Sequence, residues 1–375
     1  MKSFVDLANP WVRSLPIYEP GRPIDEVARE LGFKSADVII KLASNENPLG
    51  PSPLALKAMR EHAGEMHRYP DGGSYHLRQA IAEKLDVEPQ QILPANGSNE
   101  IIELLGHVFL GPDTSIVVAD RAFVVYKIVA AACCAGVISV PMRNFTHDLE
   151  AMCAAIRPDT RIVFISNPNN PTSTMVTQAE IDAFMARVPE HVVVCFDEAY
   201  IELLPTDRQP NVLQYVRANR NVVVLRTFSK TYGMAGLRVG YAVAPRECIE
   251  LLNRVRQPFN VNAMAMAAAV AALEDSAFVE RTRKLVHEGL AYFEREFQRL
   301  GLEYVPAVAN FMLVKVGKGR EIFDALLRES VIVRPMDAYG LPEYVRITVG
   351  TQEENHRCVE ALKVVLALKA GNLDV

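Results

Sequence analysis

Between residues 92 and 243 the chain repeats one pattern: a short unbroken run of apolar residues, then a longer stretch with apolar residues at helical spacing. The runs are Ile92–Ala95, Ser115–Ala119, Val137–Val140, Arg161–Ile165, Val192–Phe196, Val222–Leu225 and Val239–Val243. A strand that is apolar on both sides must be covered on both sides. Seven such runs separated by helices therefore predict an α/β fold with a mostly parallel seven-stranded sheet between helices. The character changes after Pro258. Ala263–Glu274 reads as a small-residue helix, and Phe278–Leu300 as a long amphipathic one with Leu285, Leu290, Phe293, Phe297 and Leu300 near helical spacing. Asn310–Val316, Val331–Val333 and Tyr344–Val349 read as strands of a smaller α+β domain. The first 41 residues hold prolines at 10, 16, 20 and 23 and one helical stretch, Ile24–Leu31. The expected division is an arm over 1–41 that packs with the small domain, a large domain over 42–262 and the small domain over 263–375.

Composition narrows the function. With 375 residues, half of them apolar, the chain can fill two cores, and a net charge of −5 leaves no basic footprint for nucleic acid. The six cysteines (133, 134, 153, 195, 248 and 358) form no C-x-x-C pair and have no histidine cluster beside them, so no metal site is expected. Cys195 lies in an apolar run and reads as a buried structural thiol. The longest apolar stretch, Ile128–Val140, is interrupted by Gly136 and Ser139 and is too short to span a bilayer. The N-terminus has no apolar signal core. The expectation is a cytoplasmic protein without membrane or nucleic-acid partners.

Ligands of open α/β sheets bind outside the carboxyl ends of the strands. Asn167, Asp197 and Thr227 each fall just beyond an apolar run, so polar groups are expected to converge on one sheet edge. A carboxylate such as Asp197 can keep a pyridine nitrogen protonated. Tyr200 and Asn170 can hold a ring hydroxyl, and Lys230 supplies an amine that can condense with an aldehyde. Thr227, Ser229 and Arg238 can bind a phosphate, joined by Ser98 and Asn99 at the start of the helix expected over Asn99–Leu110, where free backbone N–H groups and the helix dipole favour an anion. Phe123, after another strand, can stack on a ring. In this order the pieces describe a seat for pyridoxal phosphate, and after the aldehyde is taken the Lys230 amine can shuttle a proton. Each also has a plainer explanation: a turn aspartate, a packing aromatic, a solvated lysine, a helix cap, a structural ion pair. Nucleotide phosphate loops are excluded, because no G-x-x-x-x-G-K-[ST] occurs and no G-x-G-x-x-G follows an early strand. Arg346 alternates with apolar residues, and a cation there needs a partner such as a substrate carboxylate. Arg334 is a second cation in the same region, and two arginines point to a dianionic substrate, with a second anionic group besides the carboxylate or replacing it. Tyr69 reads locally as a loop aromatic.

The segments Tyr18–Gly21, Asn45–Pro48, Arg68–Pro70, Asn167–Thr172, Asp197–Tyr200, Ser229-Lys230, Gly236–Gly240, Val333–Pro335 and Arg346–Gly350 carry a resemblance. Over essentially its whole length the chain resembles the fold-type I, class II-like aminotransferases, and within them the branch that works on histidinol phosphate. The resemblance implies that Lys230 takes the cofactor aldehyde, Asp197 pairs with the ring nitrogen, Asn170 and Tyr200 hold the ring hydroxyl, and Phe123 stacks. It implies that Tyr69 reaches the cofactor phosphate of a neighbouring subunit, and hence a homodimer with shared sites. It further implies that Arg346 holds the glutamate carboxylate, Arg334 the phosphate of histidinol phosphate, and that Tyr18 closes over the substrate. The implied reaction moves an amino group between L-glutamate and imidazole-acetol phosphate in histidine biosynthesis. An aromatic amino acid aminotransferase is the alternative, and a phosphothreonine decarboxylase a more distant one. Two positions depart from the family: Ser173, where glycine is usual, and Arg121-Ala122-Phe123, where Pro-Thr-Tyr is favoured.

Overall fold

The structure is a computed structural model that describes residues 2–13, 15, 17, 21–33, 35 and 38–369. Its strands are β1 (Ile40–Lys41), β2 (Ile92–Ala95), β3 (Ser115–Ala119), β4 (Gly136–Val140), β5 (Thr160–Ser166), β6 (Val193–Asp197), β7 (Val222–Thr227), β8 (Gly240–Val243), β9 (Tyr304–Val305), β10 (Phe311–Lys315), β11 (Val331–Ile332), β12 (Arg334–Pro335) and β13 (Tyr344–Thr348). Seven of them form the large sheet in the order β2-β8-β7-β6-β5-β3-β4. Only β8 runs against the rest, pairing antiparallel with both β2 and β7. The apolar runs thus become strands as expected, because Val and Ile buried on both faces suit a covered sheet; the edge strand β4 differs, with only Val140 buried. Their ends shift slightly. Asp197 and Thr227 are the last residues of β6 and β7, not the first beyond them, and the helix after β2 spans Ser98–Phe109.

Register explains why one edge of this sheet becomes polar. Ser166 at the end of β5 pairs with Asp197, and Thr227 at the end of β7 pairs with Gly240 at the start of the reversed β8. Gly240 in turn pairs with Ala95 at the end of β2. The loops that leave Ser166, Asp197, Thr227 and Ala95, and the one that enters Gly240, therefore open on the same side.

The small domain has a four-stranded antiparallel sheet in the order β12-β13-β10-β9. Its core includes Phe311, Val314, Val345, Ile347 and Leu362, and also Val27, Ile39, Ile40 and Leu42 from the early chain. β1 pairs in parallel with β11. The helix Ala263–Glu274, expected at the start of the small domain, instead joins the large core. Asn262 caps it by accepting from the Ala265 N–H at 2.8 Å. Ala265, Ala268, Ala269 and Ala272 then form a face of small side chains that packs closely on the helix Pro53–His62. The change of core falls within the helix Ser276–Arg299: Val279 lies in the large core, while Val286, Leu290, Phe293 and Phe297 lie in the small one. Among the described residues no helix is long and apolar enough to cross a membrane.

Candidate active site

A cleft at the polar edge of the large sheet, roofed by the small domain, gathers most of the residues singled out above. Ser98, Asn99, Phe123, Asn170, Asp197, Tyr200, Thr227, Ser229, Lys230, Arg238, Arg334 and Arg346 all line it, together with Gly21, Ala43, Ser44, Asn45, Ser166, Ala199 and Tyr339. One expected residue does not. Tyr69 is 84% exposed and stacks on Phe259 at 4.8 Å, away from the cleft of its own chain. Tyr18 lies outside the described residues.

Lys230 follows β7 by three residues, in a tight turn, and its amine is carried into the cleft. There Nζ donates to the carbonyls of Ser44 at 3.2 Å and Asn45 at 3.3 Å, and lies 5.7 Å from the centre of the Tyr200 ring. Burial is the main cause that lowers its pKa to about 8, with the nearby Arg346 and Arg238 charges acting the same way. A minor share of the amine, about a tenth, is therefore uncharged at pH 7, and the share that can act as a nucleophile grows as the pH rises toward 8.

Asp197 is buried at the end of β6. Its Oδ2 accepts from the Tyr126 hydroxyl at 2.7 Å and its Oδ1 from the Ala199 N–H at 3.2 Å. Burial raises its pKa while the Tyr126 bond opposes the shift. Beside it, Glu198 is paired with Arg226 at 2.8 Å. The Tyr200 ring belongs to the small-domain core and its hydroxyl faces the cleft, where it accepts from Asn45 Nδ2 at 2.9 Å. Burial raises this phenol to about 12, so it stays protonated and can donate to an anionic oxygen.

The phosphate-type corner is built by close approach. Gly97, with φ +79, precedes the helix Ser98–Phe109, whose start has no side-chain cap. Gly97 occupies the capping position, so Ser98 is the first residue of the helix and the plainer explanation of Ser98 as its cap does not apply. A Cβ on Gly97 would come within 2.6 Å of Arg238 Nη2, and one on Gly240 within 2.7 Å of the Ser98 nitrogen. These two glycines let the guanidinium, the helix start and the Thr227–Ser229 turn share one small space. Arg238 Nη1 donates to Ser229 Oγ at 3.4 Å, and the Ser229 N–H to Thr227 Oγ1 at 3.2 Å. A cation, uncapped helix N–H groups and two hydroxyls suit a phosphate.

On the opposite wall Arg334 and Arg346 are directly paired in register on β12 and β13, so both project from one face of the small sheet. Arg346 Nη1 donates to Asn170 Oδ1 at 2.5 Å and Nη2 to the Ala43 carbonyl at 2.7 Å, and its guanidinium lies 5.1 Å from the centre of the Phe311 ring. Sequence reasoning missed Tyr126 and the role of Asn45. Asn45 adopts φ 56 and also takes part in bonds with Thr348, so it links the early chain, Tyr200 and the small domain.

Chemically, the site joins an amine of lowered basicity, a buried carboxylate, a protonated phenol, a phosphate corner and two cations on the far wall. Residues 37–362 match the family described as aminotransferase class I and II. The chain is 51% identical to the histidinol-phosphate aminotransferase of Akkermansia muciniphila, over 97% of this chain and 100% of that one. It is 50% identical to that of Moorella thermoacetica, over 95% and 92% respectively. Among solved structures, the histidinol-phosphate aminotransferase of Sinorhizobium meliloti in complex with pyridoxal 5′-phosphate is similar with a TM-score of 0.88 at 26% identity, covering 96% of this chain and 98% of that one.

Proposed function

The chain belongs to the class I and II aminotransferases, and from that premise we propose that it exchanges an amino group between L-histidinol phosphate and 2-oxoglutarate, yielding imidazole-acetol phosphate and L-glutamate in L-histidine biosynthesis. The observation that carries the reading is about 50% identity to histidinol-phosphate aminotransferases along nearly the whole chain. The register pairing of Arg334 with Arg346 supports it, because the two amino donors differ in their anions, one a phosphate and the other a carboxylate.

Bound pyridoxal phosphate supplies an aldehyde to receive the amino group and a protonated ring that draws electrons from the substrate α-carbon. Lys230 is the amine that meets the aldehyde, and once displaced it carries the proton to and from the substrate carbon. Asp197, kept in place by its two donors, holds the ring nitrogen protonated. Tyr200 and Asn170 donate to the ring oxygen, and Phe123 packs against the ring face. Ser98, Asn99, Thr227, Ser229 and Arg238 take the phosphate. Arg346 takes the carboxylate of glutamate and Arg334 the phosphate of histidinol phosphate. Tyr18 belongs to the same proposal as a residue that covers the substrate.

The enzyme works as a homodimer in the cytoplasm. The dimer is supported by the exposed pair Tyr69 and Phe259, an apolar stack that gains from being covered and leaves Tyr69 able to reach a partner's phosphate corner. Two measurements test the function. Mixing the holoenzyme with glutamate alone must convert the cofactor to its amino form; a protein that instead releases carbon dioxide from a phosphorylated amino acid is not a transaminase. Competing histidinol phosphate with phenylalanine compares specificity constants, and a preference for phenylalanine moves the enzyme to the aromatic amino acid class.

A further inference from the structure

Ser173 is completely buried and has φ 61, in the left-handed region that side chains rarely adopt. A side chain kept there at a conformational cost calls for a compensating interaction. The hydroxyl provides one. Ser173 Oγ accepts from the Ala309 N–H at 2.8 Å and from the Val308 N–H at 3.2 Å, 136 and 135 residues away. The Val308 N–H also donates to the Ser173 carbonyl at 2.9 Å.

The clamped segment leads into the arginine wall. Asn310 donates to the Asn45 carbonyl at 3.1 Å, the same oxygen that accepts from Lys230. Phe311 supplies the ring beneath the Arg346 guanidinium. Three residues before Ser173, Asn170 accepts from the same guanidinium. One loop thus meets the small domain at two points, the guanidinium itself and the backbone that carries its aromatic floor.

We propose that Ser173 is a positioning residue for the carboxylate-binding arginine. Its hydroxyl clamps the Val308–Ala309 backbone to the loop of Asn170, so that Asn170 and Phe311 fix the Arg346 guanidinium from two sides. The inference rests on the assignment of Arg346 to the substrate carboxylate.

The test uses holoenzyme and succinate, a dicarboxylate with no amino or keto group, so that binding is read without turnover. Ser173→Gly removes the hydroxyl and relieves the backbone; Ser173→Ala removes it and keeps the Cβ in the left-handed region; both leave the Ala309 N–H without its side-chain partner. Both are expected to raise the succinate Kd, measured by calorimetry, about fivefold to tenfold, a tenfold change being about 1.4 kcal/mol. The KM for 2-oxoglutarate should follow, while cofactor affinity and the visible absorption of the bound cofactor stay at wild-type values. Should Ser173→Ala not fold, Ser173→Gly decides. Wild-type succinate binding by Ser173→Gly overturns the inference, as does a parallel loss of succinate and cofactor affinity, which marks general loosening. An Arg346→Lys control separates the layers: if it too binds succinate normally, the carboxylate assignment fails and the inference with it; if it is weakened while Ser173→Gly is not, the inference alone fails.

Discussion

Tyr126 donates its hydroxyl to Asp197 Oδ2 at 2.7 Å, and neither group has appreciable contact with solvent. The phenol is aimed by packing. Its ring lies flat on Phe164 at 4.5 Å with an angle of 6° between planes, and Phe123 meets it edge-on at 5.7 Å. The helix Val125–Ala132 begins directly after the cleft-lining segment, so its first turn carries Tyr126 in behind the end of β6. The carboxylate that faces the cleft is therefore held from the rear by a neutral donor, which offsets part of the cost of burying its charge.

Tyr126→Phe keeps the stacked ring and removes the donor. A hydrogen bond to a charged group is worth about 1.5–3 kcal/mol, so kcat/KM is expected to fall about tenfold to hundredfold. The pH dependence of the bound cofactor's absorption should shift as well, because Asp197 loses the bond that opposes its raised pKa. An unchanged absorption profile together with normal turnover shows that Asp197 does not depend on Tyr126.

Gly97→Ala tests the phosphate corner. The new Cβ would meet Arg238 Nη2 at 2.6 Å, and φ at this position is +79, so both the guanidinium and the backbone are disturbed. Strain of this kind costs about 1–3 kcal/mol, and the pyridoxal phosphate Kd of cofactor-free protein is expected to rise about tenfold or more. Gly236→Ala is the control, since its Cβ would meet nothing within 4 Å. Equal cofactor affinity in the two variants shows that the close approach at Gly97 does not matter for binding.

What the sequence made legible follows from what is local. Val222–Thr227 and its companions are strands because their own side chains demand a covered sheet, and polar residues at their ends mark the edge where ligands bind. Tyr126 was invisible because an aromatic at the start of an apolar helix looks like core until its hydroxyl is seen on Asp197. Asn45 and Ser173 were opaque for a different reason: their partners Tyr200 and Ala309 lie 155 and 136 residues away. The change of pattern at Pro258 marks a change of helix type, whereas only packing shows that the alanine face of Ala263–Glu274 joins the large core.

Lys230 predicts a pH dependence. Its pKa is lowered by burial and by neighbouring cations to about 8, so the amine is protonated and unreactive below that pH and neutral above it. The rate of covalent cofactor uptake by cofactor-free protein, followed by absorbance, should rise through pH about 8 and level off above it. Borohydride reduction of the holoenzyme should tag Lys230 alone. Lys230→Ala should lower kcat by on the order of 10²–10⁴-fold through loss of the proton carrier, while cofactor still binds through its phosphate. Tagging of a different lysine removes the basis of the assignment.

The two arginines predict a crossed effect on the two substrates. Arg346 spends Nη1 on Asn170 and Nη2 on the Ala43 carbonyl, so its plane is fixed before any substrate arrives. Lysine is a point charge and cannot reproduce that fork. Arg346→Lys is therefore expected to cost about 1.5–3 kcal/mol of carboxylate binding, a rise of about tenfold to hundredfold in the KM for glutamate and 2-oxoglutarate. Histidinol phosphate has no carboxylate, so its KM should change far less. Arg334→Gln should do the reverse, weakening histidinol phosphate and sparing glutamate. Because the two side chains leave adjacent strands in register, the alternative is a shared cationic wall. Steady-state KM values for both substrates in both variants distinguish the two: a crossed pattern requires divided roles, and equal losses in all four combinations require a single undivided anion site.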